Sequence, residues 1–387
     1  MKDLFQEIHR VAGRSDSGNL FGYIARRLSE SGLAPSVRPW AGSEGVLVCP
    51  LRSGTRSRLV LDAQLPQHSP GLPEPEVRDH ALVGSRVLVG FPHLSMCLAA
   101  FLDLARLPEI ARPAATLLVW SHSNSTEVSP ATARDLLGLS GEGLVLGPSK
   151  ALPFHLGRNT VIPVDISVHG RVRITHRSGG AAELRQQLGN IDWPSAALVA
   201  ESLDPLLAIQ EPHRRALGRL ARRAGMERRV LFSILQSLAP DVLEHWRPAG
   251  AGRESRENRL FEWPLGSSLD DLRYRLAGPT RDRATATVEA LWSPAFLSPS
   301  HPSVRMVMDR LRVLEPDAVP VPLWRGHHPR PCWYQSMAMS WLGLTPLLFP
   351  SSLNGNAMLR EPVQRCPISG LEWGRRTLVD LVTKLAG

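Results

Sequence analysis

The stretch LVLDAQLPQHSP, residues 59 to 70, sets apolar residues before a turn and then Gln64, Leu65 and Pro66. It reads as a buried strand delivering side chains to a rim, where open α/β sheets usually place their chemistry. An amide and a proline are poor reagents: neither carries protons or binds hard cations well near neutral pH. Other reactive signatures are excluded by spacing. A phosphate-binding loop needs Gly-Lys-Ser/Thr, and none of the three lysines (Lys2, Lys150, Lys384) follows a glycine. There is no HExxH, GxSxG or GxGxxG, and GLSGEG (138 to 143) carries Glu142 where the nucleophile turn needs glycine. Nucleotide hydrolysis, serine-hydrolase chemistry of that type and Rossmann cofactor binding all lose support.

The elements that would position a site alternate along the chain. DSGNLFGYIARRLSESGL (16 to 33) opens on Asp/Ser capping residues, spaces Leu20, Ile24 and Leu28 along one face and stops at Gly32, predicting an amphipathic helix. RLVLDAQL predicts a strand, HLSMCLAAFLDLARL (93 to 107) a largely buried helix, and ATLLVW (115 to 120) and GLVLG (143 to 147) two further strands. Helices between strands at this spacing argue for a mostly parallel sheet. From VIPVDISVHGRVRIT (161 to 175) the pattern alternates, as in a half-exposed antiparallel strand, and RATATVEALW (283 to 292) alternates again. The α/β character then returns with helices near 302 to 314 and 332 to 342, a strand at TPLLF (345 to 349) and a terminal helix. The expected fold class is α/β: a mostly parallel-sheet domain, 1 to 165 and 290 to 387, interrupted by a smaller α+β domain, 166 to 289. RPAGAGRESRENR (247 to 259) is expected to be a mobile loop.

Composition narrows the classes. At 387 residues, with 43% hydrophobic and 21% charged residues, the chain reads as globular and soluble, with room for two domains. No apolar run reaches membrane-span length and MKDLFQEIHR has no signal-peptide block, so no membrane partner and a cytoplasmic location are expected. Cys49, Cys97, Cys332 and Cys366 lie far apart, suggesting neither disulfides nor a cysteine zinc site. The net charge of +9 is carried by arginine and concentrates in residues 211 to 230, a segment without any aromatic residue. A solvated helix face explains it better than nucleic acid does; the sharper alternative is docking to an acidic carrier or protein partner, or to an anion.

Taken in order, these pieces resemble the co-catalytic zinc aminoacylase and carboxypeptidase family, which includes acetylornithine deacetylase, succinyl-diaminopimelate desuccinylase and the carnosine-type dipeptidases. SDSGN (15 to 19) resembles the opening of its first long helix, and LVLDAQLPQ the strand ending in Gly-His-x-Asp. ITHRSGG (174 to 180) resembles the His-Ser-Gly element of its lid domain. SPSHPSV, WRGHHP and LGLTPLLF resemble the return into the catalytic domain, and REPVQRCPISGLEWG the closing loop and last helix. The resemblance implies a zinc-peptidase-like domain with an inserted α+β lid that pairs two copies into a homodimer.

It also implies two zinc ions held by His, Asp and Glu around a bridging water, and here those positions fail in turn. The first His falls on Gln64 and the Asp after it on Pro66; the bridging Asp falls on Val89 or Gly90. The Glu pair falls on Asn124 and Ser125, the ligand after the third strand on Gly147, and the final His on Arg360. No metal and no other cofactor is therefore expected. A shifted mononuclear site would have to draw on His68, His93, His122 and Glu127, with His327 and His328 on another rim loop. The substrate-handling residues persist. His176 matches the lid histidine that crosses to the partner subunit and polarises the scissile carbonyl, and Arg325 with Gly326 matches the arginine that takes a substrate carboxylate. Arg360, Asn124 and Gln64, at former metal positions, are candidates for contacting a ligand.

Three functions follow from the resemblance. The first is a metal-independent relative that binds a peptide-like or acyl-amino-acid ligand and performs acyl transfer, condensation or cyclisation in biosynthesis, with His176 as acid or base. The second is an inert scaffold or regulatory protein. The third is an amide hydrolase with a rebuilt metal site. Polar groups kept in the cleft would favour the first, an apolar cleft the second.

Overall fold

Strand-forming runs that bury both faces organise the molecule. The computed structural model describes residues 1–14, 17–41, 44–66, 71–121, 130–139, 141–149, 152–156, 159–168, 170–176, 247–248, 258–263, 269–270, 273, 286–293, 295–297, 301–324, 330–353, 358–359 and 361–387. The chain opens with α1 (Lys2–Arg14), α2 (Ser17–Glu30), β1 (Ser36–Ala41), β2 (Glu44–Pro50), β3 (Leu59–Gln64), β4 (Glu76–Arg78) and β5 (Ala81–Gly84). It continues with α3 (Phe91–Ala105), β6 (Ala115–Trp120), α4 (Pro130–Leu137), β7 (Gly143–Gly147), β8 (Phe154–Leu156) and β9 (Asn159–Val168). Next come β10 (Gly170–His176), β11 (Arg247–Pro248), β12 (Asn258–Trp263), β13 (Ala286–Trp292) and β14 (Ala295–Phe296). The last elements are α5 (Pro302–Leu314), β15 (Ala318–Trp324), α6 (Arg330–Ser336), β16 (Met339–Gly343), β17 (Gln364–Pro367) and α7 (Ile368–Ala386).

In the large sheet β6, β3, β7 and β16 lie side by side and parallel. β2 and then β1 extend it antiparallel beyond β6, while β9 joins antiparallel to β16 and parallel to β15. This is the mostly parallel α/β architecture that the sequence predicts. The registers Gln64↔Trp120 and Gly147↔Gly343 bring the carboxyl ends of the four central strands to one rim.

Each face has its own core. Leu59, Leu61 and Ala63 of β3 pack with residues of α1, α3, α5 and α7 in a mainly aliphatic cluster that also holds Phe5, Phe91 and Phe101. Val60 points the other way, among Trp120, Trp333, Tyr334, Met337, Met339 and Trp341. Continuous apolar strands are what burial between two helical layers demands. The same demand makes α3 apolar nearly all round, with thirteen of its residues buried. Paired charges tie α7 to its neighbours: Arg310 to Asp380 across α5 and α7, and Arg375 to Asp103 across α7 and α3. Among the described residues no helix is long and apolar enough to cross a membrane.

Three sequence expectations need correction. Residues 161 to 175 do not form one half-exposed strand. β9 is buried from Thr160 to Ile166 inside the large sheet, and β10 begins a separate antiparallel sheet of order β11-β12-β10-β13. Strand propensity runs straight across a junction where the chain changes sheets. Nor does a helix fill 332 to 342, with a strand at 345 to 349. Ala338, at φ 60°, turns the chain directly after α6, and the strand is Met339–Gly343. TPLLF is buried but unpaired as a strand; Pro346 within it and Pro350 directly after it have no N–H groups to donate. Finally, the expected loop at 247 to 259 has strand at both described ends, Arg247–Pro248 and Asn258–Arg259, with its interior outside the described residues. The basic segment 211 to 230 also lies outside them.

Candidate active-site cleft

A cavity of about 360 Å³ opens at the carboxyl rim of the central strands. Strand β3 contributes Gln64 and, just beyond it, Leu65 and Pro66. The turn before α3 supplies Leu88, Val89 and Gly90, and the first turn of α3 supplies Pro92 and His93. Pro148, Ser149 and Leu152 follow β7, Thr345 follows β16, and Leu359 closes one wall.

Backbone chemistry fixes these walls. Leu65 N–H donates to the Trp120 carbonyl at 2.7 Å, extending the β3–β6 pairing one residue past the strand. The Thr345 hydroxyl accepts from Ser149 N–H at 3.0 Å and donates to the Ser149 carbonyl at 2.9 Å, locking two strand ends together. The side chain of Gln364, 3% exposed, does the same for two loops. Its Oε1 accepts from Leu88 N–H at 2.9 Å and its Nε2 donates to the Leu359 carbonyl at 3.2 Å. Gly90 sits at φ 80°, and a Cβ there would come within 3.3 Å of the Pro66 Cα, so the turn presses backbone against the end of β3.

The one imidazole in the described lining is already engaged. His93 Nε2 lies 3.1 Å from the Asp62 carbonyl oxygen, to which it donates, with Cys97 Sγ 3.4 Å from the same nitrogen. Burial, and then the nearby Asp62 charge, push the Cys97 thiol well above its ordinary range. Burial likewise pushes Cys49 up to about 12 and raises Cys366, so these three cysteines are poor nucleophiles near neutral pH.

The candidates from sequence divide accordingly. Gln64 and His93 line the cavity. His176 ends β10, its backbone opposite Ala286, and its side chain lies outside what the structure describes. Asn124, Arg325, Gly326 and Arg360, and the fallback ligands His68, His122 and Glu127, lie outside the described residues. Sequence reasoning missed Ser149, Thr345 and Gln364, which act as clamps, and the apolar walls Leu88, Leu152 and Leu359. The only advance signals were prolines directly after strands, as in GLVLGP, which mark a rim without naming its use.

A pair of zinc ions does not fit the described residues. Two divalent ions need a set of deprotonated oxygen or nitrogen donors, and Gln64, Pro66, Val89, Gly90 and Gly147 offer an amide and no carboxylate. Among the described residues no group of three or more His, Cys, Asp and Glu could hold a metal ion. At Gly147 there is not even room: a Cβ would meet Trp341 Nε1 at 2.5 Å and Cε2 at 3.2 Å.

No protein-family model matches the sequence, and no curated protein is detectably similar to it. Solved structures are. An M20 family metallo-carboxypeptidase from Sulfolobus solfataricus superposes at a TM-score of 0.61 with 9% identity, covering 100% of this chain and 99% of the other. A dipeptidase from Saccharomyces cerevisiae and human carnosine dipeptidase 1 each give 0.57 at 11% identity, covering 100% of this chain and 95% and 96% of theirs. Identity this low shows the fold alone: the chain shares its fold with these solved peptidase structures.

Proposed function

We propose that the chain is a metal-independent derivative of that fold, which binds a peptide-like or acyl-amino-acid ligand in the inherited cleft. One observation carries this reading: an open cavity persists at the carboxyl rim of β3 and β7, walled mainly by apolar side chains and lacking a metal-ligand set among its described residues. Its polar members Ser149, Thr345 and His93 hold protein groups. That weights the reading toward binding, as a scaffold or regulator, over catalysis. Non-hydrolytic acyl transfer, condensation or cyclisation with His176 as acid or base is the second reading, supported by the neutral amide of Gln64 at the mouth. A cytoplasmic location and a homodimer paired through the region of β10 to β13 belong to the same proposal, as does docking of an acidic partner to the 211 to 230 segment.

The test is calorimetric titration of the purified full chain with N-acetyl-leucine, with and without a metal chelator, combined with elemental analysis and product detection. Binding that ignores the chelator, with no leucine released, supports the proposal. Hydrolysis that a chelator abolishes, or two stoichiometric zinc ions, overturns it. A condensed or transacylated product would move the reading from binding to catalysis.

A further inference from the structure

We propose that the cavity is selective for an uncharged apolar group, an acyl chain or aliphatic side chain, and rejects a carboxylate. The inference rests on the cleft being a ligand site and names what that site takes. Carboxyl rims of parallel sheets attract anions because strand ends and helix N-termini present unpaired backbone N–H groups. Here prolines stand at three such points of the rim: Pro66 after β3, Pro92 in the first turn of α3 and Pro148 after β7. Each lacks an N–H. Three further donors along the rim are turned inward: Leu65 N–H serves the Trp120 carbonyl, Ser149 N–H serves Thr345 and Leu88 N–H serves Gln364. None of the described lining residues is Asp, Glu, Lys or Arg. An ion placed here would lose its hydration and gain little, whereas a hydrocarbon loses nothing by leaving water. At ~30 Å³ per water-sized group, the space accommodates on the order of ten non-hydrogen atoms.

The experiment is ligand-observed NMR with titration calorimetry on the full chain, using butanamide, pentanamide and hexanamide, hexanoate, and N-hexanoylglycine. Affinity should rise about fourfold per methylene through the amide series, and hexanoate should bind more than about tenfold more weakly than hexanamide. Val89→Trp should abolish binding, because Val89 stands 39% exposed at the mouth, where a larger ring blocks entry without disturbing the core. Leu359→Trp, from another wall, is the second blocking variant, and Ile110→Trp, on a fully separate exposed turn, should change nothing. Hexanoate binding as well as hexanamide, or affinity flat with chain length, would overturn the inference. If N-hexanoylglycine binds while the amides show no length dependence, the apolar selectivity fails and the cleft reading stands. If neither it nor any amide binds at millimolar concentration, both fall.

Discussion

The two faces of the large sheet differ in kind. One carries Leu59, Leu61, Leu117 and Leu146 against α1, α3 and α7, a mainly aliphatic core of the sort any α/β domain of this size builds. The other sets Trp120 and Trp341 of the sheet against Trp333 and Tyr334 of α6, with two methionines and residues of α4. Trp120 and Trp333 meet with ring centroids 5.3 Å apart at 47°, a tilted packing that aromatic rings favour. At the rim the faces part further. The aliphatic side ends in a cavity, and the aromatic side ends in Trp341 pressed against Gly147, where the family resemblance puts a metal ligand. Holding the fold and shaping the rim are thus tasks of separate layers.

Four experiments would break or sharpen that contrast. The largest effect is expected at Trp333, fully buried in the aromatic layer: Trp333→Ala should cost about 3–5 kcal/mol in urea unfolding. Leu61→Ala, in the aliphatic layer, should cost about 2–5 kcal/mol; if only the latter were costly, the aromatic layer would be decoration. Gly147→Asp should cost roughly 2–3 kcal/mol by overpacking against Trp341, and should gain no zinc affinity. Combined with Trp341→Ala the two changes should be non-additive by about 0.5–3 kcal/mol, and strict additivity would deny the contact. Gln364→Ala should cost about 1–3 kcal/mol, since it strands the Leu88 N–H and the Leu359 carbonyl. It should weaken amide binding as well, through the loosened wall.

The smallest effect is a pH dependence on the aliphatic side. His9 is fully buried, its ring 4.5 Å from that of Phe91, and burial lowers its pKa below 6.5 despite opposing contributions from the Ser85 backbone and Glu74. The folded state then binds its proton less readily than the unfolded one. Its contribution is complete above the ordinary histidine value and is lost as pH falls from there toward the lowered one. The slope is at most about 1.4 kcal/mol per pH unit. Urea midpoints at pH 7.5 and 5 should diverge for the wild type and less for His9→Leu. Equal divergence would place the titration elsewhere.

How far the sequence reads toward this structure depends on what each residue has to announce. Runs such as LVLDAQ, ATLLVW and GLVLG declare buried strands because both faces are covered, and α3 and α7 declare themselves by length and pattern. The junction between β9 and β10 is silent, since alternation continues while the pairing partners change from β15 and β16 to β12 and β13. Gln64 was legible as a rim residue because its strand is unmistakable. Thr345, Leu359 and Gln364 were not, because they reach the cleft from distant segments and do their work through hydrogen bonds and bulk. Residues that work through backbone hydrogen bonds and bulk leave little chemical spelling to read.

The Gln364 bridge also bears on when the cleft can exist. Leu88 and Gln364 are 276 positions apart. At a ribosomal pace of about 5–20 residues per second, the mouth waits on the order of a quarter of a minute to a minute for its clasp after Leu88 is made. No small molecule can chaperone the nascent chain through this pocket; it can meet only a finished one.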